Sequence, residues 1–218
     1  MILIISIITI PLNLFNYRGK VVYVLYKIFG NLILIIAGVK VIVEGKENVS
    51  GKDANFYISN HMSYLDIPIL MKALPGNIRF LYKSSINKIP VFGWAMYLAG
   101  YIPIDRKNAR SAISSLKKAS DALKRGLSIV IFPEGTRSPD GKIHEFKKGL
   151  TVIANDIKCD ITPVTIKGSY EILPRGSKKI KPGKVMVRIG NPFAYSRDKF
   201  SLNDVRESII KSYNEIVI

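Results

Sequence analysis

The stretch SIVIFPEGTR at residues 128–137 decides the fold. Its first half, Ser128 to Phe132, is a nearly continuous apolar run, which is typical of a strand buried on both faces of a sheet. Its second half is a polar turn that contains a glycine, a carboxylate and an arginine. Because ligands of α/β proteins bind beyond the carboxyl ends of the strands, this turn is a candidate binding loop.

Similar short runs flank this stretch and alternate with helical patterns. They predict six further strands: Lys40 to Val43, Asn55 to Ser59, Arg79 to Tyr82, Tyr101 to Ile104, Ile161 to Ile166 and Val185 to Ile189. Apolar residues at steps of three and four predict a helix from Ala109 to Lys124, with Gly126 as its C-cap, and another from Leu202 to Ile216. The alternation predicts an α/β fold with a mixed central β-sheet flanked by helices.

Two apolar runs precede the first strand, Met1 to Leu12 and Val21 to Val43. Basic residues follow the first run rather than precede it, which argues against a cleaved secretory signal. The second run is long enough to cross a bilayer of about 30 Å, but it is interrupted by Lys27 and other polar residues. We favour an N-terminal apolar two-helix membrane-binding motif that enters one leaflet. A true span or hairpin, and a helix pair packed on the domain, stay open. Residues 1–39 are thus assigned to membrane-associating helices and residues 40–218 to the α/β domain.

The chain is strongly basic, with 33 Lys and Arg against 16 Asp and Glu, a net charge of +17. Such an excess implies a polyanionic partner: a nucleic acid, an anionic membrane surface or a phosphorylated substrate. The single cysteine, Cys159, excludes a disulfide within the chain and offers no metal-ligand spacing. We expect it to be a small buried side chain in a domain that faces the reducing cytoplasm.

The first chemical pattern is NHMSYLD at residues 60–66, directly after a predicted strand. His61 and Asp66 would lie about 140° apart on one straight helix, so they can touch only if His61 sits in a turn and Asp66 in the first turn of the next helix. A carboxylate on one ring nitrogen fixes the tautomer and leaves the other nitrogen as a base near neutral pH. No nucleophilic serine motif accompanies the pair, which favours direct activation of a substrate hydroxyl.

The second pattern is the turn at residues 133–138. Gly135 permits a tight turn, and Thr136, Arg137 and backbone N–H groups could cradle a phosphate, since the guanidinium fork donates two bonds to phosphate oxygens. The alternative is a tight loop in which Arg137 pairs with Glu134. Further basic residues follow at positions 147 and 148, and Arg106 ends another predicted strand, where a surface role is equally open.

Taken together, these segments resemble the glycerolipid acyltransferase family typified by bacterial 1-acylglycerol-3-phosphate acyltransferase. Four ordered blocks carry the resemblance: His61 with Asp66, Tyr101 to Arg106, Phe132 to Arg137, and Ile161 to Val164. The runs Lys83 to Trp94 and Phe146 to Gly149 are also similar to the family, and the likeness covers about residues 40 to 192. One departure is Ile104, which stands where some members carry an aromatic residue.

The resemblance implies direct transfer of an acyl group to the sn-2 hydroxyl of lysophosphatidic acid, which forms phosphatidic acid. His61 would be the base and Asp66 would orient it. The substrate's glycerol phosphate would be held by a larger set: Lys83, Arg106, Glu134, Gly135, Thr136 and Arg137. The acyl donor would be acyl-coenzyme A or acyl carrier protein, with no further cofactor and no metal. The implied location is the cell membrane, with the catalytic domain on the cytoplasmic side.

Other functions remain open on sequence grounds. A related acyltransferase could use lyso-ornithine lipid, another lysophospholipid or glycerol phosphate as its acceptor. Hydrolysis would replace the lysolipid hydroxyl with water. A non-catalytic membrane-binding or nucleic-acid-binding module is suggested by the charge alone, and the chain lacks the interleaved aromatics of a stacking platform, so we expect no nucleic-acid partner.

Overall fold

The computed structural model describes residues 6–7, 9–11, 20–50, 54–105, 109–147, 160–194 and 201–218. Within these ranges the strands are β1 Val39–Glu44, β2 Phe56–Ser59, β3 Ile78–Lys83, β4 Ile102–Ile104, β5 Ser128–Ile131, β6 Ile161–Lys167 and β7 Gly183–Ile189. The helices are α1 Lys20–Ile36, α2 Asp66–Ala73, α3 Phe92–Leu98, α4 Ala109–Lys124, α5 Ser169–Ile172 and α6 Leu202–Glu215. Short 3₁₀ helices occupy Lys46–Asn48 and Ser84–Lys88.

The seven described strands form one sheet in the order β1-β7-β6-β2-β5-β3-β4. Every neighbouring pair is parallel except β6 and β7, which are antiparallel. The expectation of a mixed central sheet flanked by helices is therefore confirmed. The five strands from β6 to β4 point the same way, so their carboxyl ends form a single edge, and the loops that follow β2 and β5 are neighbours on it.

Helices cover both faces of the sheet, and each face has its own apolar core. On one face, α1 and α2 pack against side chains such as Tyr57, Phe80 and Val130. On the other face, α4 and α6 pack against Phe56, Ile129 and their neighbours. Strand β5 contributes to both cores and is buried along its whole length. This burial explains why its sequence is a continuous apolar run rather than an alternating one.

The predicted elements and the observed ones agree closely where the sequence carries a clear boundary signal. Helix α4 has the predicted bounds, and Gly126 beyond it has φ 82°, the left-handed conformation that ends a helix. The second apolar run is different, because it does not form one helix. Helix α1 ends at Ile36, and Gly38, with φ 65°, turns the chain into β1. The apolar run from Val21 to Val43 is thus a helix followed by a strand.

Helix α1 is apolar on two opposite sides. One side, with Val22, Tyr23 and Leu34, is buried in the core. The other side is a stripe that we call the α1 stripe, formed by exposed Val21, Val24, Ile28, Leu32 and Ile35. Because each residue turns about 100°, these five positions fall within an arc of about 80° that faces away from the sheet.

The predicted two-helix motif is not confirmed. Of the first run, Met1 to Leu12, the structure describes only residues 6–7 and 9–11, which are helical. None of the helices in the described part of the chain is long and apolar enough to cross a membrane. The boundary placed between residues 39 and 40 stays a prediction.

Candidate active site

His61 and Asp66 are in direct contact at the carboxyl end of β2. The His61 Nδ1 atom lies 2.8 Å from Asp66 Oδ2. The His61 side chain is 14% exposed, whereas Asp66 is completely buried in the first turn of α2. The ring therefore has one nitrogen bound to a carboxylate, and the other, Nε2, is left for a substrate. This is the arrangement in which the tautomer is fixed and Nε2 can accept a proton.

The Asp66 carboxylate also holds the turn that carries the histidine. Its Oδ2 atom accepts the backbone N–H of Met62 at 2.7 Å and that of Ser63 at 2.8 Å. A helix N-terminus favours a negative charge, and Asp66 lies in the first turn of α2. Three donors thus converge on one oxygen, and they compensate the cost of burying a charge.

Buried polar side chains tie this turn to the rest of the sheet. Asn60 bridges β2 and β6, because its amide donates to the Ile166 carbonyl and its oxygen accepts the Ile166 N–H, both at 2.8 Å. Ser63 Oγ donates to the Leu173 carbonyl at 2.9 Å. The Ser138 N–H donates to the His61 carbonyl at 2.8 Å, which joins the turn to the loop after β5.

The His61 ring lies flat on the Phe132 ring, with centroids 4.0 Å apart and an angle of 15° between the planes. Phe132 in turn stacks on Phe80 at 6.1 Å. The ring plane of the histidine is therefore fixed from two directions, by the carboxylate at Nδ1 and by the aromatic face below it.

Glu134 connects the two loops from inside. Its Oε1 accepts the His61 N–H at 2.8 Å, and its Oε2 accepts the His144 N–H at 3.1 Å. Burial raises the pKa of this carboxyl, and the two backbone N–H groups oppose that shift. Because both oxygens bond to the backbone and the side chain is buried, the geometry fits a residue that positions His61 rather than a direct ligand of a phosphate.

Gly135 makes the turn after Glu134 with φ 73°, a conformation that favours glycine. A Cβ at this position would lie 3.0 Å from Lys147 Cε and 3.2 Å from Lys147 Nζ. The glycine thus allows the ammonium group to approach the backbone of the loop. Lys147 is held there by its own N–H, which donates to the Pro133 carbonyl at 3.1 Å.

Arg137 stacks on an aromatic ring from the histidine turn. Its guanidinium carbon lies 3.5 Å from the centroid of the Tyr64 ring. The Arg137 carbonyl accepts from Arg175 Nη1 at 3.3 Å. The guanidinium therefore does not pair with Glu134, whose oxygens are taken by backbone groups. It is placed beside the His61 turn as a half-exposed cation.

The remaining predicted site residues have no described contact with the His61–Asp66 pair. Thr136 is exposed on the loop after β5, and Lys83 is the exposed last residue of β3, the strand next to β5 at the same edge. Arg106 lies outside the described residues, and so do Lys148 and Cys159. The second histidine, His144, bonds through Nε2 to Asp140 on the surface at 2.8 Å.

Two contributors to the site were not predicted from the sequence. Tyr64 supports Arg137, and Phe132 supports His61, although both lie within the patterns that were identified. An aromatic residue next to a functional polar residue is the only sequence signal for such a role. It cannot tell which side chains will stack, because the partners are 71 or more positions apart.

A protein-family model described as Acyltransferase matches residues 40–167. The match extends from β1 to the end of β6 and therefore includes the loops after β2 and β5. The fold and the site define the class as α/β acyltransferase, and the chain belongs to the acyltransferase family.

The chain is also similar to individual proteins of known name. The chain is 37% identical over 198 residues to the chloroplastic 1-acyl-sn-glycerol-3-phosphate acyltransferase LPAT1 of Arabidopsis thaliana, an alignment that covers 90% of this chain and 55% of the relative. It is 33% identical to the 1-acyl-sn-glycerol-3-phosphate acyltransferase of Helicobacter pylori, and that alignment covers 73% of this chain and 68% of the relative. The chain spans little more than half the length of the plant enzyme.

A solved structure is also similar. It is the crystal structure of the 1-acyl-sn-glycerophosphate (LPA) acyltransferase PlsC from Thermotoga maritima, with a TM-score of 0.74 and 28% sequence identity. The superposition covers 94% of this chain and 84% of that one. The mixed sheet and its flanking helices are thus common to both proteins.

Proposed function

We propose that the protein is a 1-acylglycerol-3-phosphate O-acyltransferase, which moves an acyl group from a carrier thioester to the sn-2 hydroxyl of lysophosphatidic acid. The observation that carries the proposal is the 2.8 Å contact between His61 Nδ1 and buried Asp66 Oδ2 beside the Gly135 to Arg137 loop. A base and a cationic loop at one sheet edge suit an acceptor that has both a hydroxyl and a phosphate. The relatives named above carry this activity in their names.

The reaction needs no nucleophile from the enzyme. His61 Nε2 accepts the proton of the acceptor hydroxyl as its oxygen attacks the carbonyl carbon of the thioester. The negatively charged Asp66 stabilises the imidazolium that results. When the tetrahedral intermediate collapses, the C–S bond breaks, and the imidazolium returns its proton to the leaving thiolate. The products are an ester and the free thiol carrier, acyl carrier protein or coenzyme A.

The acceptor phosphate would bind on the loop after β5. Arg137 offers a planar fork, and Lys147 offers an ammonium group next to the Gly135 backbone. Lys83 and Thr136, at the same sheet edge, are further candidate ligands. Arg106, which lies outside the described residues, is a candidate from the family resemblance alone. Glu134 would act indirectly, by holding the His61 backbone in place.

Membrane association is part of the proposal, because the acceptor and the product are lipids. The α1 stripe presents five aliphatic side chains to the outside, and burying them in a leaflet would remove apolar area from water. We place the protein at the cell membrane with the catalytic domain on the cytoplasmic side.

The decisive experiment is transfer of labelled acyl groups to lysophosphatidic acid in mixed micelles, with acyl-coenzyme A and acyl carrier protein as alternative donors. His61→Ala is expected to lower transfer by at least about 10³-fold. His61→Asn is a matched variant, since its amide can still donate to Asp66, and it should be equally inactive but better folded. Circular dichroism and thermal melting check folding. Substantial transfer by either folded variant would remove His61 as the base.

The acceptor is tested in the same assay. Lyso-ornithine lipid, which lacks a phosphate, and lysophosphatidylcholine, whose phosphate is a diester, are offered beside lysophosphatidic acid. Preference for lysophosphatidic acid that weakens in Arg137→Lys supports the phosphate site. If the enzyme used all three acceptors equally, or lyso-ornithine lipid alone, lysophosphatidic acid would no longer be the proposed acceptor. The assignment of His61 as the base would be unaffected. Release of free acid without transfer would indicate hydrolysis.

A further inference from the structure

A second exposed apolar surface, separate from the α1 stripe, is formed by residues in and just before α3, after the 3₁₀ helix Ser84–Lys88. Ile89 is 47% exposed, Trp94 57% and Tyr97 59%. We call these three side chains the Trp94 patch. Trp94 and Tyr97 are three positions apart on α3 and therefore share one side of the helix. Nothing in the proposed chemistry uses them.

Helix α3, which carries Trp94 and Tyr97, packs beside the same apolar core as α1. Ala99, directly after α3, and partly buried Met96 belong to the same core as α1. The Tyr101 ring, two residues beyond Ala99, meets the Tyr26 ring of α1 edge-on at 5.9 Å. Met96 and Ala99 therefore place α3 beside the core that α1 covers, and Trp94 and Tyr97 are exposed side chains of α3.

The charged residues close to the patch in the sequence are all basic. From Ile78 to Tyr101 the sequence contains no Asp or Glu. The cations nearest the patch along the chain, Lys83 and Lys88, are both exposed. An apolar and aromatic surface whose nearest charged neighbours along the chain are exposed lysines is complementary to the interface of an anionic bilayer, where Trp and Tyr are enriched and Lys meets phosphate groups.

The backbone also presents the patch in an unusual way. Val91 has φ 64° and ψ −57°, and the Phe92 N–H donates to the Pro90 carbonyl at 2.7 Å. A β-branched residue with positive φ is uncommon and costly. The turn brings Ile89 next to the start of α3, where its carbonyl accepts the Gly93 N–H at 2.9 Å.

We propose that the Trp94 patch is a second membrane-contact surface, which inserts into the headgroup region of an anionic phospholipid leaflet when the α1 stripe is bound. The inference rests on the proposed membrane association and adds a second point of contact to it. Two contacts would fix the orientation of the domain on the leaflet, whereas α1 alone would leave rotation about its axis free.

The chain has one tryptophan, so its fluorescence reports on this patch alone. The intact protein is mixed with vesicles of phosphatidylcholine and phosphatidylglycerol, with or without lipids brominated on the acyl chain, and its binding is measured by sedimentation. We expect Trp94 emission to move to shorter wavelength and to be quenched by the brominated lipids. Trp94→Glu should partition into the vesicles about tenfold more weakly. Ile113→Glu is the control, since Ile113 is 54% exposed on α4, across the sheet.

Several results would overturn the proposal. Emission that stays unchanged while the protein sediments with vesicles would show that only another surface binds, and absence of sedimentation would remove the membrane contact altogether. A shift caused by acyl carrier protein without lipid would assign the patch to that partner. A shift that grows with protein concentration alone would assign it to a second copy of the chain. Because fluorescence needs no turnover, an inactive protein whose Trp94 emission shifts would contradict the acyltransferase proposal and leave this one standing.

Discussion

At the scale of single residues, Asp66 determines the site as much as His61 does. One carboxylate oxygen accepts the histidine ring and two backbone N–H groups, while the other, Oδ1, is buried without a hydrogen-bond partner among the described residues. Asp66→Asn keeps the shape but removes the charge that stabilises the imidazolium in the proposed mechanism. We expect transfer to fall by about 10³ to 10⁴-fold with little change in the Michaelis constants. Loss of less than tenfold in a steady-state assay would contradict this role.

The stacking of Arg137 on Tyr64 gives a second residue-level prediction. Tyr64→Phe keeps an aromatic face under the guanidinium, whereas Tyr64→Leu removes it. A cation–π contact at a half-exposed site contributes about 0.5–1 kcal/mol, so Tyr64→Leu should raise KM for lysophosphatidic acid about two- to fivefold. The value of kcat should change little in both variants. Equal KM values for the two variants would show that the ring does not position Arg137.

Glu134 makes stability depend on pH. Burial raises its pKa in the folded protein, so the folded state binds a proton that the unfolded state has already released. The unfolding free energy therefore falls as the pH rises from the unfolded pKa, about 4.5, through the higher folded pKa. Glu134→Gln removes this contribution. Urea unfolding of the wild type and the variant should show a smaller decline with pH in the variant.

The control for this comparison is Glu145→Gln, which removes an exposed carboxyl from the same loop. It should leave the decline with pH as in the wild type. If the unfolding free energies of Glu134→Gln and the wild type fell equally as the pH rose, burial would not destabilise the Glu134 carboxylate in the folded protein.

At the scale of elements, the loop after β5 depends on a glycine with two roles. Gly135 and Gly126 both have positive φ, of 73° and 82°, but only Gly135 would bring a Cβ against Lys147, whereas Gly126 faces open space. Gly135→Ala and Gly126→Ala should each destabilise the fold by about 1–2 kcal/mol. Only Gly135→Ala should also raise KM for the acceptor, because it displaces Lys147. Thermal melts measure the loss of stability, and steady-state kinetics measure the change in KM. If Gly135→Ala left the KM for the acceptor unchanged, Lys147 would be excluded as a ligand of the acceptor phosphate.

The same elements indicate what the sequence can predict. Strand β5 and helix α4 were located correctly because burial on both faces and amphipathic periodicity are local signals. The spacing of His61 and Asp66 predicted only that they could touch across a turn, since no straight helix brings positions five apart together. That they do touch was implied by the family resemblance. The division of the second apolar run was predicted only in part. The strand from Lys40 was expected, but the end of α1 at Ile36 was not, because the residues on both sides of Gly38 are apolar. The stacking of Arg137 on Tyr64 and of His61 on Phe132 depends on the order of the strands in the sheet, which the spacing of residues in the sequence does not reveal.

At the scale of the whole molecule, the net charge of +17 and the exposed apolar side chains are related by position. The loop from Arg175 to Lys184, rich in basic residues, packs at the end of α1, where the Gly183 N–H donates to the Gly38 carbonyl at 3.1 Å. Its lysines are exposed. Cations thus adjoin the end of the α1 stripe, an arrangement that would let lipid phosphates and acyl chains be contacted together. This loop is either a solvated connection between strands or a patch that binds lipid headgroups.

A set of three exposed lysines decides between those alternatives. The variant Lys178→Gln, Lys179→Gln, Lys181→Gln alters the loop, and its control, Lys117→Gln, Lys118→Gln, Lys124→Gln, removes the same charge from α4 across the sheet. Near an anionic surface each lysine contributes about 1 kcal/mol, so the loop variant should bind phosphatidylglycerol vesicles at least about tenfold more weakly at low salt. The difference should vanish as salt rises from about 0.1 M to about 1 M, because the screening length falls from about 10 Å to about 3 Å. If both variants lost binding equally, the protein would be attracted by its total charge, and the loop would be only a connection between strands.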